Sequence, residues 1–273
     1  MRAVCAVCAY VCACVRVCVC SLTPSAHTLP LLLAPRSLHS LLTPPNRLQV
    51  HAPQLFDAVA KQSERLAAEG VAQELANTVW AYATMGVDNP RVFRAVAGQS
   101  ERLAAEGVTQ ALANTVWAYA TMGIRDAPEV FEAVARASDK LAVEGNTQAL
   151  ANTAWAYATM GIRDAPEVFD AVEAQSERLA EQGKTQELAN TVWAFATIDV
   201  RAPKLFKAVA RQHGRLARHA NPQEMSNTLW AFASAGVRAP QLFKALGGQV
   251  ERIARDGTLL DCCCCCWEML NFG

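Results

Sequence analysis

One cation recurs in six successive segments of this 273-residue chain, at intervals of 37 or 38 residues. A guanidinium or ammonium group that returns at a regular interval can neutralise successive phosphates of a chain-like polyanion. The spacing therefore predicts one phosphate contact with a polynucleotide from each segment. The predicted phosphate-binding residues, which we call the fixed cations, are Arg65, Arg102, Lys140, Arg178, Arg215 and Arg252.

Four positions around each fixed cation change polarity and charge from segment to segment, whereas most other positions do not. They are three, four and seven residues apart, so they are predicted to share one face of a helix. Variable polar side chains beside a constant cation indicate that the bases of a polynucleotide are recognised segment by segment. This predicted specificity stripe comprises Gln54, Asp57, Lys61, Arg91, Arg94, Glu129, Glu132, Arg136, Glu167, Asp170, Lys204, Lys207, Arg211, Arg218, Gln241 and Lys244.

The fixed cations also have a structural interpretation. Several are followed four residues later by an acid, as Arg65 is by Glu69. Helix pairs of this spacing contribute about 0.2–0.5 kcal/mol each. The acid is missing after Arg178 and Arg215. These two cations are therefore predicted to be unpaired and to be the best placed for phosphate.

The chain has 25 basic and 25 acidic residues, but the charges are unevenly distributed. Residues 51–200 carry 11 basic and 20 acidic groups, whereas residues 201–273 carry 10 basic and 5 acidic groups. Because an acidic surface repels phosphate, the first part is expected to weaken nonspecific binding to polynucleotides. This acidity favours the alternative function, a protein–protein interaction scaffold that holds a basic or helical partner.

All eleven cysteines lie in the two flanks of the chain, six between Cys5 and Cys20 and five in Cys262–Cys266. A disulfide framework is therefore excluded as the means of holding the segments together. Cys5 and Cys8 have a zinc-like spacing, but no second pair or suitable histidine follows at the usual distance. The sequence predicts neither a metal site nor a cofactor.

Residues 1–50 contain four arginines and no acid, and begin with an apolar run at Ala3–Val15. An apolar core followed by an acid-poor stretch is typical of targeting leaders. We therefore predict a transit peptide and a location in a plastid or the mitochondrial matrix. The alternative is a low-complexity leader without a targeting role.

Tryptophans recur with the same period as the fixed cations and indicate tandem repeats. Each repeat is predicted to be a helical hairpin, whose first helix runs from a proline such as Pro53 to a glycine such as Gly70. The predicted second helix carries the motif LANTVWAYATMG or a close variant. The tryptophans are Trp80, Trp117, Trp155, Trp193, Trp230 and Trp267.

A helical wheel of the second helix places Leu75, Val79, Trp80 and Tyr82 on one arc and Asn77 opposite. We therefore interpret the tryptophan as a core residue rather than a base-stacking platform. The asparagine is expected to bond a backbone group of the neighbouring repeat.

The predicted fold is all-α, an α-solenoid of about six helical-hairpin repeats of 37–38 residues. The solenoid is expected to occupy residues 51–257. Residues 1–50 are the predicted leader, which we expect to be disordered. Residues 258–273 are interpreted as the degenerate or misread end of the sixth repeat.

The segments QELANTVWAYATMG and NPQEMSNTLWAFASAG, which begin at Gln73 and Asn221, resemble the octotricopeptide repeats of algal organelle proteins. They are also similar to the leucine-rich segment of the FAST kinase-like, RAP-containing proteins. The resemblance implies an organellar RNA-binding protein acting in transcript stability, processing, splicing or translation. It implies RNA binding rather than kinase activity. No RAP domain is visible in these residues, so a nuclease role has no support.

Two functions are therefore compared, RNA binding and protein scaffolding. Catalysis is not expected, because the sequence shows no Ser/His/Asp set, phosphate-cradling glycine loop or paired acids. The predicted partners are single-stranded RNA and other organellar RNA-processing proteins, without a membrane or a small-molecule substrate.

Overall fold

The structure, a computed structural model, describes residues 52–257. The predicted leader, the predicted degenerate end and all eleven cysteines lie outside these residues. The described part is all-helical, which confirms the predicted fold class. None of its helices is long and apolar enough to cross a membrane.

Seventeen helices follow one another in residues 52–257, three for each of the first five repeats and two for the sixth. They are α1 Pro53–Lys61, α2 Ser63–Glu69, α3 Ala72–Met85, α4 Pro90–Ala97, α5 Ser100–Glu106, α6 Thr109–Met122, α7 Pro128–Arg136, α8 Ser138–Glu144, α9 Thr147–Met160, α10 Pro166–Ala174, α11 Ser176–Gln182, α12 Thr185–Thr197, α13 Pro203–Ala210, α14 His213–His219, α15 Pro222–Ser234, α16 Pro240–Gly247 and α17 Val250–Asp256.

Each repeat has three helices because the predicted first helix is divided in two. At the junction the amide of Gln62 donates to the carbonyl of Val59, three residues earlier, with an N···O distance of 2.9 Å. This tighter turn interrupts the regular i→i−4 ladder and redirects the chain. The fixed cations and Arg218 therefore lie on the second helix of a repeat, whereas the other residues of the specificity stripe lie on the first helix or directly after it. The prediction of one continuous helical stripe is wrong.

The repeats pack as two rows of helices. In one row the third helices contact each other in sequence, α3 with α6, α6 with α9, α9 with α12 and α12 with α15. In the other row the second helix of each repeat contacts the first helix of the next, as α2 does with α4. Contacts restricted to neighbouring repeats define a solenoid.

Each third helix contributes alanines and one large aromatic side chain to the core between the rows, where they pack with leucines, valines and the phenylalanines of the first helices. The aromatic residue is tyrosine in the first three repeats and phenylalanine in the next two. The Tyr119 ring meets the Phe93 ring edge-on, with centroids 5.2 Å apart, and its hydroxyl donates to the Phe93 carbonyl at 2.6 Å. Small alanines let the third helices approach closely.

The tryptophans are not the core aromatic residues, so their predicted role is wrong. Trp80 is 44% exposed, and its equivalents in the next four repeats are half-buried. Leu75, Val79 and Tyr82 are buried as predicted. The tryptophan lies three residues after Asn77, and in the structure it shares the outer face of its helix with that asparagine.

Tyr119→Phe is expected to lower the free energy of unfolding by about 1 kcal/mol at neutral pH, because the hydrogen bond to Phe93 is lost. Burial, with the nearby Glu129 and Asp126 charges, raises the pKa of Tyr119 above its ordinary value of 10.0. The pKa of Tyr119 is therefore higher in the folded than in the unfolded state. The stability that this difference contributes is present below pH ~10 and is lost as the pH rises further, because the tyrosine of the unfolded chain then ionises.

Urea unfolding of both proteins at pH 8 and pH 11 tests this expectation. The wild-type protein should lose more stability between the two pH values than Tyr119→Phe. Phe195 and Phe232, which occupy the equivalent site in two repeats, show that the ring alone fits. An equal loss in both proteins would contradict the proposed contribution of the hydroxyl.

Candidate nucleic-acid interface

All sixteen residues of the specificity stripe are exposed. Fifteen lie on the first helix of a repeat or, like Arg211, directly after it, whereas Arg218 lies on the second helix α14. The helices position them because the apolar side chains of the same segments, such as Val92 and Phe93, are buried on the opposite side. The variable residues are therefore presented to solvent in order along the repeats.

Three arginines of the stripe form ion pairs with an acid of the preceding repeat. In the first of these, Arg91 Nη2 lies 3.4 Å from Glu64 Oε1. Exposed pairs of this kind contribute at most about 1 kcal/mol and are weakened by salt. The pairs are Arg91 with Glu64, Arg136 with Glu101, and Arg211 with Glu177.

Other stripe cations are exposed and have no ion pair among residues 52–257. Four of them cluster in the last two repeats, where basic residues outnumber acidic ones. Exposed, unpaired cations are the groups that can exchange counterions for phosphate. The four are Lys204, Lys207, Arg218 and Lys244.

The fixed cations from Arg102 onward bond the repeat that precedes them. Arg102 donates to the carbonyls of Ala67, Ala68 and Gly70 at 2.6, 3.2 and 3.0 Å. The last turn of a helix leaves carbonyls without intrahelical partners and carries the negative end of the helix dipole. Arg102 therefore caps α2 across the boundary between repeats.

The same cap recurs at later boundaries. Lys140 donates to the Gly107 carbonyl at 2.8 Å, and Arg178 to the Ala142 carbonyl at 3.0 Å. Arg215 donates to the Glu181 carbonyl at 2.9 Å and also to the Ala180 carbonyl. Arg252 donates to three carbonyls of the fifth repeat.

Arg178 and Arg215 have no ion pair among residues 52–257, as predicted, but they are not free for phosphate, because each donates to a carbonyl of the preceding repeat. The predicted pair between Arg65 and Glu69 is confirmed, with an N···O distance of 3.6 Å, and Arg65 is exposed. The Nε atoms of four capping arginines, including Arg102 and Arg252, are buried, so these guanidinium groups face inward. Phosphate binding by the fixed cations stays a prediction.

A second surface, on the third helices, was missed by the sequence reasoning. We call it the amide–tryptophan ladder, and it presents one asparagine and one tryptophan from each of five repeats. Ring centroids of Trp117 and Trp155 are 6.5 Å apart, as are those of Trp193 and Trp230. The ladder consists of Asn77, Trp80, Asn114, Trp117, Asn152, Trp155, Asn190, Trp193, Asn227 and Trp230.

The expected bond from these asparagines to a neighbouring backbone does not occur in residues 52–257. Instead, Asn77 and Asn114 accept from the glutamine four residues earlier at 2.9 Å. The spacing carried a signal for this surface. Asparagine, tryptophan and threonine follow one another at intervals of three and four residues, which places them on one helix face.

Sequence reasoning also missed a row of arginines in the loops that follow the third helices. Arg125 donates to the Met160 carbonyl of the next repeat at 2.8 Å. Arg163, Arg201 and Arg238 are exposed and form no hydrogen bond or ion pair within the described part of the chain. Their signal was one arginine after the isoleucine or valine that follows each third helix from the second repeat onward.

Residues 52–257 contain no group of three or more His, Cys, Asp or Glu side chains able to hold a metal ion.

The model of one protein family, described as RNA-editing substrate-binding complex 6 protein, matches residues 33–255. The match covers nearly all of the described repeats and starts within the predicted leader. No curated protein matches the chain.

Proposed function

Because this chain belongs to the family of RNA-editing substrate-binding complex 6 proteins, we propose that it is a single-stranded RNA-binding α-solenoid. Its role would lie in organellar RNA metabolism, in transcript stability, processing, splicing or translation. The compartment would be a plastid or the mitochondrial matrix. Other RNA-processing proteins of that organelle would be its protein partners, and its activity would be binding rather than catalysis.

The exposure of every specificity-stripe residue is the observation that carries this proposal. Variable polar side chains at equivalent positions of successive repeats can contact successive bases, since each repeat presents the same geometry with different chemistry. This arrangement also supports the proposed likeness to octotricopeptide repeats.

Phosphate contacts are proposed first for the exposed cations Lys204, Lys207, Arg218 and Lys244. They have no ion pair in the described residues, whereas the fixed cations from Arg102 onward are occupied by carbonyl groups. Arg65 is the fixed cation with an exposed side chain. The basic fifth and sixth repeats would then hold the RNA backbone most strongly.

The proposal is tested by selecting a random pool of single-stranded RNA on the full chain at two salt concentrations. We expect a short motif to be enriched, and the affinity to fall with salt by a slope of about −0.7 per neutralised phosphate. Replacing Lys204 and Lys207 with glutamine should reduce both affinity and slope. Lys61→Gln, in the acidic first repeat, is the matched control. It should reduce the affinity and the salt slope less than the replacement of Lys204 and Lys207 does.

The alternative is a protein scaffold, and the acidity of residues 51–200 favours it. If the folded, helical protein retains no RNA at low salt, RNA binding is contradicted. A basic peptide that binds under the same conditions would then support the scaffold.

A further inference from the structure

The amide–tryptophan ladder differs from the specificity stripe because its residues do not vary. Every described third helix carries Asn and Trp three residues apart, with Gln four residues before the asparagine. None of these three positions is charged in any of the five repeats. An identical neutral surface in each repeat cannot distinguish one base from another. It suits a ligand contact that is the same at every step.

The tryptophan rings are held in place while part of each ring stays accessible. Trp117, Trp155, Trp193 and Trp230 pack against the hydrophobic core and are half-buried. The planes of Trp193 and Trp230 are tilted by 37°. A ring whose rotamer is already restricted loses little conformational entropy when a planar ligand stacks on it.

The ladder asparagines retain hydrogen-bonding capacity. Asn152, Asn190 and Asn227 are half-buried and have no hydrogen bond within the described part of the chain. A carboxamide offers both donors and an acceptor. These are the groups that recognise the edge of an unpaired base or a ribose hydroxyl.

The loop arginines supply a parallel row of positive charge. Trp155 lies five residues before Met160, the last residue of α9, which corresponds to about 8 Å of helix rise. Arg163 follows in the next loop and is exposed, as are Arg201 and Arg238 after the next two third helices. The Trp155 side chain thus lies about one and a half helical turns from the loop that carries Arg163.

We propose that the amide–tryptophan ladder stacks with unpaired bases of single-stranded RNA, irrespective of their identity. Arg163, Arg201 and Arg238 contact the phosphates beside them. This inference rests on the proposed RNA binding and assigns its sequence-independent part to the third-helix row. Stacking tolerates any base because every base has a π-face, and the arginines complement the backbone charge.

The test follows indole fluorescence of the full chain while a uridine homopolymer is added. Five of the six tryptophans belong to the ladder, so Trp267→Phe as a background leaves only ladder tryptophans. We expect fluorescence quenching that saturates together with binding, as reported by the anisotropy of the labelled RNA. A duplex RNA of the same length, whose bases are already stacked, should give no comparable quenching.

Trp193→Ala in this background should weaken homopolymer binding about tenfold. Trp193→Phe keeps an aromatic face and should weaken binding less, which separates stacking from a loss of fold. Replacing Arg163, Arg201 and Arg238 with glutamine should reduce the salt dependence. Asp139→Asn, an exposed residue of α8 on the other row of helices, is the control and should leave the amplitude of quenching unchanged.

Bound RNA without any change in indole fluorescence would overturn this inference while the proposed RNA binding stands. A homopolymer affinity of Trp193→Ala equal to that of the Trp267→Phe background would also overturn this inference. If anisotropy shows no binding of any single-stranded RNA by the folded protein, both proposals fail together. Equal quenching by duplex and single strand would exclude stacking on unpaired bases.

Discussion

Replacing Arg215 with alanine is expected to lower the free energy of unfolding by about 2 kcal/mol. The guanidinium group donates to the carbonyls of Ala180 and Glu181, which close the helix of the preceding repeat. Hydrogen bonds to charged groups contribute about 1.5–3 kcal/mol, and the variant would leave helix-end carbonyls without their partner. The variant should therefore be less stable than the wild-type protein even when no ligand is present.

Urea unfolding followed by circular dichroism measures this effect in the full chain. Arg65→Ala is the matched control, because Arg65 holds the same position in its repeat but forms an exposed ion pair with Glu69. We expect that variant to lose less than about 1 kcal/mol. Arg215→Lys should lose less than Arg215→Ala, since Lys140 already bonds a carbonyl at the equivalent boundary.

The same variants decide between the two interpretations of the fixed cations. If Arg215→Ala keeps its stability and instead loses RNA affinity, the phosphate interpretation is correct and the cap is unimportant. Loss of stability with unchanged affinity per folded molecule would assign Arg215 to the boundary between repeats.

Tyr157→Ala should lower the free energy of unfolding by about 3–5 kcal/mol, the largest effect that we predict. The side chain is 0% exposed, and its ring lies edge-on to Phe131 and Phe169, with centroid distances of 5.3 and 6.4 Å. Its hydroxyl also donates to the Phe131 carbonyl. Alanine would leave a cavity between repeats and an acceptor without its donor.

Trp155→Ala, two residues away on the same helix, is the comparison. Its ring is larger but half-buried, so we expect roughly half the loss that Tyr157→Ala produces. Thermal and urea unfolding of both variants provide the measurement. A greater loss from Trp155→Ala would restore the tryptophan as the main core residue and remove the basis for an accessible ladder.

The repeat architecture followed from the sequence because its signals are local. The proline at the start of each first helix and the apolar spacing act within a few turns, and the same local signals return every 37 or 38 residues. The spacing of four and three residues between Leu75, Val79 and Tyr82 was enough to identify a buried helix face. The division of the first helix at Gln62 was missed, since it depends on a single turn geometry without a distinctive residue.

The partners of the side chains were decided by the tertiary structure. Arg102 bonds the Ala67 carbonyl 35 residues earlier, and no local pattern distinguishes that contact from an ion pair four residues away. Trp80 and Tyr82 lie close together on one helix, and only tertiary packing, against Phe56 of the same repeat and the helices of the next, determines which of the two is buried. Local periodicity thus determined that this protein is a solenoid. Contacts between repeats determined which cations cap helices and which aromatic side chains remain accessible to a ligand.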